Sequence, residues 1–217
     1  MTEYLNLSPD VRTLRLDLEQ NADNIYIRPP SKETDDAWNN LERGVASWAT
    51  SSDLAAAGID PSKSVRLPAT MGHGEDAYPI IVDVKHRIHC LNRLRKDIYF
   101  DHYYGSDFSN ANATRFHTLH TEHCILVLLK SMMCDANTDF DAFSWFRHFP
   151  HSMADFNINR KCGDFEGIDR WASERQLDQK ELFNMPKPGN VFERPMSDWI
   201  RRTLAEYDSH GIGGDIN

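Results

Sequence analysis

The residues most capable of chemistry come as a repeat. HRIHC spans residues 86–90 and HTEHC residues 120–124, so His-x-x-His-Cys occurs twice in a chain of 217 residues that has four cysteines. At these His and Cys frequencies one such pentad is expected by chance roughly 0.01 times per chain, so the pair asks for a common cause. On a helix, residues three and four apart share a face, which groups His86 with His89 and Cys90, and His120 with His123 and Cys124. Four neutral imidazoles converging between two helices would be costly to desolvate without partners, whereas one cation satisfies them together. His86, His89, His120 and His123 are therefore the expected metal ligands. His117 extends the three-residue spacing and is expected as a further ligand, with a catalytic proton-transfer or tautomer-fixing role as the alternative. His73, His102, His148 and His151 are donors in reserve.

The donor types leave two metals open. If Cys90 and Cys124 were thiolates, a structural zinc site would be the natural reading. Histidines at i and i+3 with a cysteine at i+4 do not easily reach one tetrahedral ion from one short helix. Imidazoles alone, with open positions, suit copper or non-haem iron used for oxygen chemistry. Cys90, Cys124, Cys134 and Cys162 allow two disulfides in three pairings, or four thiols.

Two helices must carry these groups. DVKHRIHCLNRLRKDIYF, from Asp83, sets Leu91, Leu94 and Ile98 at helical spacing. FHTLHTEHCILVLLKSMMC is apolar around its circumference after Cys124, a pattern that predicts burial. The polar stretch DHYYGSDFSNANATR between them lets the helices pack side by side. MSDWIRRTLAEY predicts a last helix, and the aromatic group Phe143, Trp145, Phe146 and Phe149 reads as core more readily than as pocket lining. Upstream, Leu14, Leu16 and Leu18 alternate with charged residues as in a strand or extended arm. A short helix with Trp38 and Leu41 follows, capped by Thr34 and ended by Gly44, and residues 50–79 read as loop. The expected fold is mainly α: residues 1–79 an extended arm with short helix and linker, 80–208 a compact helical metal-binding body with at most short strands elsewhere, and 209–217 a tail.

The bulk composition excludes several classes. Asp and Glu number 33 against 24 Lys and Arg, giving a formal charge of −9, which argues against a nucleic-acid partner. No 18-residue apolar run predicts a membrane span, and the first residues lack the pattern of a signal peptide. NLS at 6–8 and NAT at 112–114 match the glycosylation acceptor pattern.

The pentads resemble the hallmark of the UstYa-like proteins of fungal secondary metabolism, a paired HxxHC motif. The likeness extends to PSKETDDAWNNL at 30–41, to HRIHCLNRLRKDIYFDHYY, to HTEHCILVLLKSMMC, and to INRKCGDFEGIDRWASER at 158–175. The resemblance implies a copper-dependent enzyme that uses molecular oxygen to cyclise, hydroxylate, desaturate or chlorinate a peptide or small natural product. It implies His86, His89, His120 and His123 as ligands of one or two copper ions, a homo- or heterodimer with a related protein, and the secretory pathway. The chain departs from the family in lacking a membrane-spanning helix and in reading LLKSMM where a Leu-Arg pair is usual. With copper on imidazoles alone, no thiolate ligand is needed, and all four cysteines are expected to pair, Cys134 with Cys162 first. The opposing readings are a non-catalytic helical protein holding structural zinc and an accessory partner of another biosynthetic enzyme.

Overall fold

A computed structural model describes residues 10–16, 23–107 and 113–209. Asn6 and Asn112 of the acceptor patterns, residues 17–22 of the arm and residues 210–217 of the tail lie outside the described residues. Eight α-helices are present among those described: α1 (Lys32–Glu42), α2 (Ser51–Ala56), α3 (Asp83–Ile98), α4 (Phe100–Tyr103), α5 (Arg115–Asp135), α6 (Phe165–Glu174), α7 (Gln179–Phe183) and α8 (Asp198–Ser209). Six short strands, β1 (Asp10–Leu14), β2 (Ala46–Ala49), β3 (Tyr78–Ile81), β4 (Phe143–Trp145), β5 (Ser152–Ala154) and β6 (Ile158–Cys162), form three antiparallel ladders, β1–β6, β2–β3 and β4–β5. The fold is mainly helical, and its strands are short.

The N-terminal third is built into the core. Ala49, Leu54, Tyr78 and Val82 pack with Trp171 and Ala172 of α6, and Ala46, Leu67 and Ala77 pack with Leu177. Burial of this kind contributes about 25 cal/mol per Å² of apolar surface, so residues 46–82 help to hold the body and do more than lie across it. The expected loop at 50–79 contains α2, closed by a capping box in which Thr50 and Asp53 satisfy each other's backbone N–H. The cap of α1 is Ser31, not Thr34: the Ser31 hydroxyl accepts the Thr34 N–H, and the helix starts three residues earlier than its sequence pattern suggests. Gly44 (φ +75°) turns the chain out of α1, and a Cβ there would stand 2.5 Å from the Ala172 carbonyl carbon.

Helices α3 and α5 run antiparallel and are tied at both ends. Arg87 Nη1 donates to Asp135 Oδ2 at 2.6 Å, and Thr121 Oγ1 donates to Asp97 Oδ2 at 2.7 Å. The buried face of α3 is not the leucine stripe. Leu91 and Ile98 are exposed, while Lys85, Asn92, Arg93 and Arg95 are buried. Long basic side chains bury their methylene stems when their heads find partners. Arg95 Nη2 reaches Asp35 Oδ1 at 2.8 Å and lies 5.5 Å from the Trp38 ring, and Lys85 donates to Asp169 and to the Leu41 carbonyl. The apolar half of α5 also departs from expectation: Ile125, Leu126, Leu129, Met132 and Met133 are exposed, because α3 covers the histidine and cysteine face instead. Phe143, Trp145, Phe146 and Phe149 are likewise exposed on or beside the β4–β5 hairpin rather than in the core.

Candidate metal centre

Four of the five expected ligands meet. His86 on α3 faces His123 on α5 with ring centroids 5.5 Å apart, and His89 faces His120 at 5.7 Å. His86 and His89 lie 6.4 Å apart along their own helix. The reversed order, 86 with 123 and 89 with 120, follows from antiparallel packing: two three-residue steps in opposite directions stay in register. The result is a seam of two cross-helix imidazole pairs.

All four rings line a cleft of about 620 Å³. Its walls are mostly apolar: Ile80 and Ile81 from β3, Phe116 from α5, Leu182 and Phe183 from α7, and Leu204 from α8. Gln179, at the start of α7, also lines it, and its buried Oε1 has no hydrogen-bond partner among the described residues. A concave apolar site with a few polar groups at one end is the usual form of a small-molecule pocket.

The pairs are spaced as ligands of a metal would be. With bonds of about 2.0–2.1 Å, two imidazoles on one ion hold their centroids roughly 4.5–6.4 Å apart, depending on the angle between them. Both cross-helix pairs fall inside that range. Among the described residues no group of three or more His, Cys, Asp or Glu side chains closes on one point as a complete metal site. The separation of the facing rings is compatible with two imidazoles on one ion, and no third donor among the described residues completes the set.

The surroundings orient the rings. Glu42, the last residue of α1, places Oε1 3.7 Å from His89 Nδ1, and Asn92 Nδ2 donates to the same Oε1 at 2.7 Å. A carboxylate behind one ring nitrogen directs the other nitrogen outward. His86 is held above its ordinary pKa, first by its hydrogen bond with Cys90 and then, against the opposing effect of burial, by Asp83. Behind the seam, Cys90 and Cys124 are wholly buried. Their mutual influence draws Cys90 well below the ordinary thiol range, assisted by His86, and together with burial pushes Cys124 up.

His117 is not part of the seam. Arg93 Nη2 lies 2.6 Å from its Nδ1, and Asp97 Oδ1 lies 3.1 Å from its Nε2. Arginine can only donate, so Nδ1 accepts and the ring proton is on Nε2, directed at Asp97. With both nitrogens engaged, the ring 4% exposed and packed edge-on to Tyr104 at 4.7 Å, His117 has no lone pair for a metal and no route to a substrate. The expected ligand and catalytic roles are therefore replaced by a structural one: it pins the start of α5 to the end of α3. Burial opposes ionisation of Asp97, yet hydrogen bonds from His117 and Thr121 keep its carboxyl below the ordinary value. Substituting His117 by alanine leaves Arg93 and Asp97 without their shared partner. The variant is expected to lose about 2–4 kcal/mol of stability in chemical denaturation while retaining its metal stoichiometry.

The reserve donors do not join the seam either. His73 packs near Trp48, with centroids 5.7 Å apart, His102 against Tyr103 at 4.8 Å, and His151 against Phe149 at 5.8 Å, while His148 stands in the left-handed region at φ +67°. All four cysteines are free thiols. The favoured pair, Cys134 with Cys162, is not joined: Cys134 is exposed near the end of α5, and the half-buried Cys162 lies on β6 with its thiol toward the Arg160 carbonyl. Glu42, Asn92, Asp97 and the apolar wall residues were not anticipated. Asp97 had a signal, since His89, Arg93 and Asp97 follow one i, i+4 ridge of α3 that runs into the partner helix.

Paired histidines on two antiparallel helices define a helical protein with a histidine-lined apolar cleft. The sequence profile described as "Mycotoxin biosynthesis protein UstYa" matches residues 5–175, and the chain belongs to the UstYa family. It is 34% identical over 181 residues to UstYa family oxidase aprY of Aspergillus flavus, covering 80% of this chain and 53% of that protein. It is 29% identical over 167 residues to UstYa family oxidase phomYc of Diaporthe leptostromiformis, covering 68% and 57% respectively, and 27% identical over 99 residues to oxidase ustYa of Aspergillus flavus, covering 45% and 42%. The chain thus spans about half the length of these relatives. No solved structure matches it. Among the described residues no helix is long and apolar enough to cross a membrane.

Proposed function

We propose that this protein is a copper-dependent oxidase that acts on a carbon–hydrogen bond of a peptide or small molecule in fungal natural-product biosynthesis. The observation that carries the reading is the seam itself: four imidazoles, in two facing pairs, at the surface of an apolar cleft. The relatives' names, all oxidases, support an oxidative role. His86, His89, His120 and His123 would hold the copper. Bound copper supplies one-electron redox chemistry with molecular oxygen as oxidant.

The chain's own residues supply binding, orientation and exclusion of water. Ile80, Ile81, Phe116, Leu182, Phe183 and Leu204 take up the apolar part of a substrate and present a carbon–hydrogen bond toward the seam. The unpartnered Gln179 Oε1 suits an N–H or O–H donor on that substrate, as a peptide provides. Glu42, held by Asn92, stands 3.7 Å from Nδ1 of His89, which favours Nε2 as the nitrogen that would hold copper. Oxygen uptake tests the reading. With ascorbate as reductant, copper-loaded protein is expected to consume oxygen above the rate of free copper at equal concentration, and zinc-loaded protein is expected to consume none. Equal rates for protein-bound and free copper would remove the enzymatic reading in favour of a structural metal site.

A further inference from the structure

The aromatic group at 143–149 lines no part of the histidine cleft and is unused by the proposed chemistry. It faces water: Phe143 is 73% exposed and Trp145 79%, and Phe146, Phe149 and Met153 are exposed as well. The register of the β4–β5 hairpin spreads these side chains over both faces and the tip. Phe143 and Trp145, two apart on β4, share one face, where their cross-strand partners are the small Ala154 and Ser152. Met153, paired with Ser144, lies on the other face. Phe146 and Phe149 bracket the turn, in which the Phe149 N–H donates to the Phe146 carbonyl at 3.2 Å. A two-stranded ribbon is at best marginally stable in water by itself, and large apolar residues exposed together on one mark a contact site.

Shape and charge single out the partner. A protein surface covers one face of so narrow a ribbon and leaves the other wet, whereas the apolar boundary of a bilayer takes up both faces and the tip together. In a chain of formal charge −9, residues 143–153 contain no Asp or Glu, and Arg147 is their one formal charge. The nearest acids, Asp139, Asp141 and Asp155, lie at the base of the hairpin, where Asp139 pairs with Arg160 at 3.5 Å. Charges further than about 8 Å from a surface are screened at physiological salt, so the tip and not the net charge meets the headgroups. We propose that the β4–β5 hairpin binds an anionic lipid surface, with Phe143, Trp145, Phe146, Phe149 and Met153 in the boundary between headgroups and acyl chains and Arg147 at the phosphates. The contact is interfacial: a strand of three residues rises about 10 Å, a third of the roughly 30 Å hydrocarbon core.

The test needs no metal and no substrate, so its outcome is separate from that of the oxidase reading. The full chain is floated with vesicles of phosphatidylcholine alone and of an equal mixture of phosphatidylcholine and phosphatidylserine. Binding is expected to be roughly fivefold tighter to the mixture, a preference that Arg147→Gln removes. Phe143→Ser/Trp145→Ser is expected to lower binding by about tenfold or more while leaving the circular dichroism spectrum unchanged. Lipids with brominated acyl chains locate the contact without any loss of fold: they should quench tryptophan fluorescence, and Trp145→Phe, which still binds, should lose most of that quenching although four other tryptophans remain of the five. Binding to neither vesicle, affinity indifferent to phosphatidylserine, or quenching that persists in Trp145→Phe would overturn the proposal. So would a dimer in sedimentation that the serine variant abolishes, since the hairpin would then be covered by a second copy.

Discussion

Alanine at His86, His89, His120 or His123 is expected to lower turnover by roughly 100-fold or more, equivalent to about 2.7 kcal/mol of lost transition-state stabilisation. The expectation rests on the pairing: each ring faces one partner across the helix crossing, at 5.5 or 5.7 Å between centroids, so losing one ring leaves its opposite with no facing partner across the seam. Bound copper should fall with turnover. His117→Ala supplies the contrast, because its ring is committed to Arg93 and Asp97 and its effect should appear in stability instead of metal content. Metal analysis alongside denaturation of all five variants separates the two behaviours. Five variants that behaved alike would contradict the division of the histidines into a seam and a pin.

An effect on stability as large as that at His117 is expected at Lys85. Its side chain is 0% exposed, and its ammonium donates to Asp169 on α6 and to the Leu41 carbonyl on α1, while lying 5.8 Å from the Phe165 ring centre. One cation thus joins the first pentad helix, α3, to two other elements, α1 and α6. Removing it leaves a partly buried carbonyl and a partly exposed carboxylate without this donor and deletes a packed methylene stem. Because Asp169 is 36% exposed, water recovers part of that loss, and Lys85→Ala is expected to cost about 2–4 kcal/mol, somewhat below a fully buried pair. Chemical denaturation reads the cost directly. Lys85→Ala/Asp169→Ala should be less destabilised than the sum of the two single variants, since the two groups share one interaction.

The two pentad helices were legible in the sequence almost to the residue, because their spacing is local: a face of a helix is written in i, i+3 and i+4. What lay opposite each face was not. Spacing alone sets His117 beside His120, but the ring turns toward Arg93 and Asp97 of the other helix, and nothing within α5 records that partner. Glu42 reaches His89 from a helix that ends far upstream in the chain, so no local pattern could announce it. The leucine stripe of α3 misled for a related reason. Hydrophobicity counts Arg93 and Arg95 as surface residues, yet their stems are buried once His117, Asp35 and Tyr103 receive their heads. The apolar circumference of α5 predicted burial that the single chain does not provide, since only its histidine face meets α3. The N-terminal third looked like an arm because its apolar residues are sparse, but Ala46, Ala49, Leu54, Leu67 and Ala77 are few residues placed well.

Copper content, measured with its electron paramagnetic resonance spectrum on purified protein reconstituted with Cu(II) under metal-controlled conditions and freed of excess copper, tests the central claim most directly. The account predicts one or two tightly held coppers per chain, a Cu(II) spectrum with nitrogen hyperfine structure from imidazole, and loss of both in the variant with alanine at His86, His89, His120 and His123. A folded protein that takes up no copper, or a four-histidine variant that keeps its full complement, would contradict it.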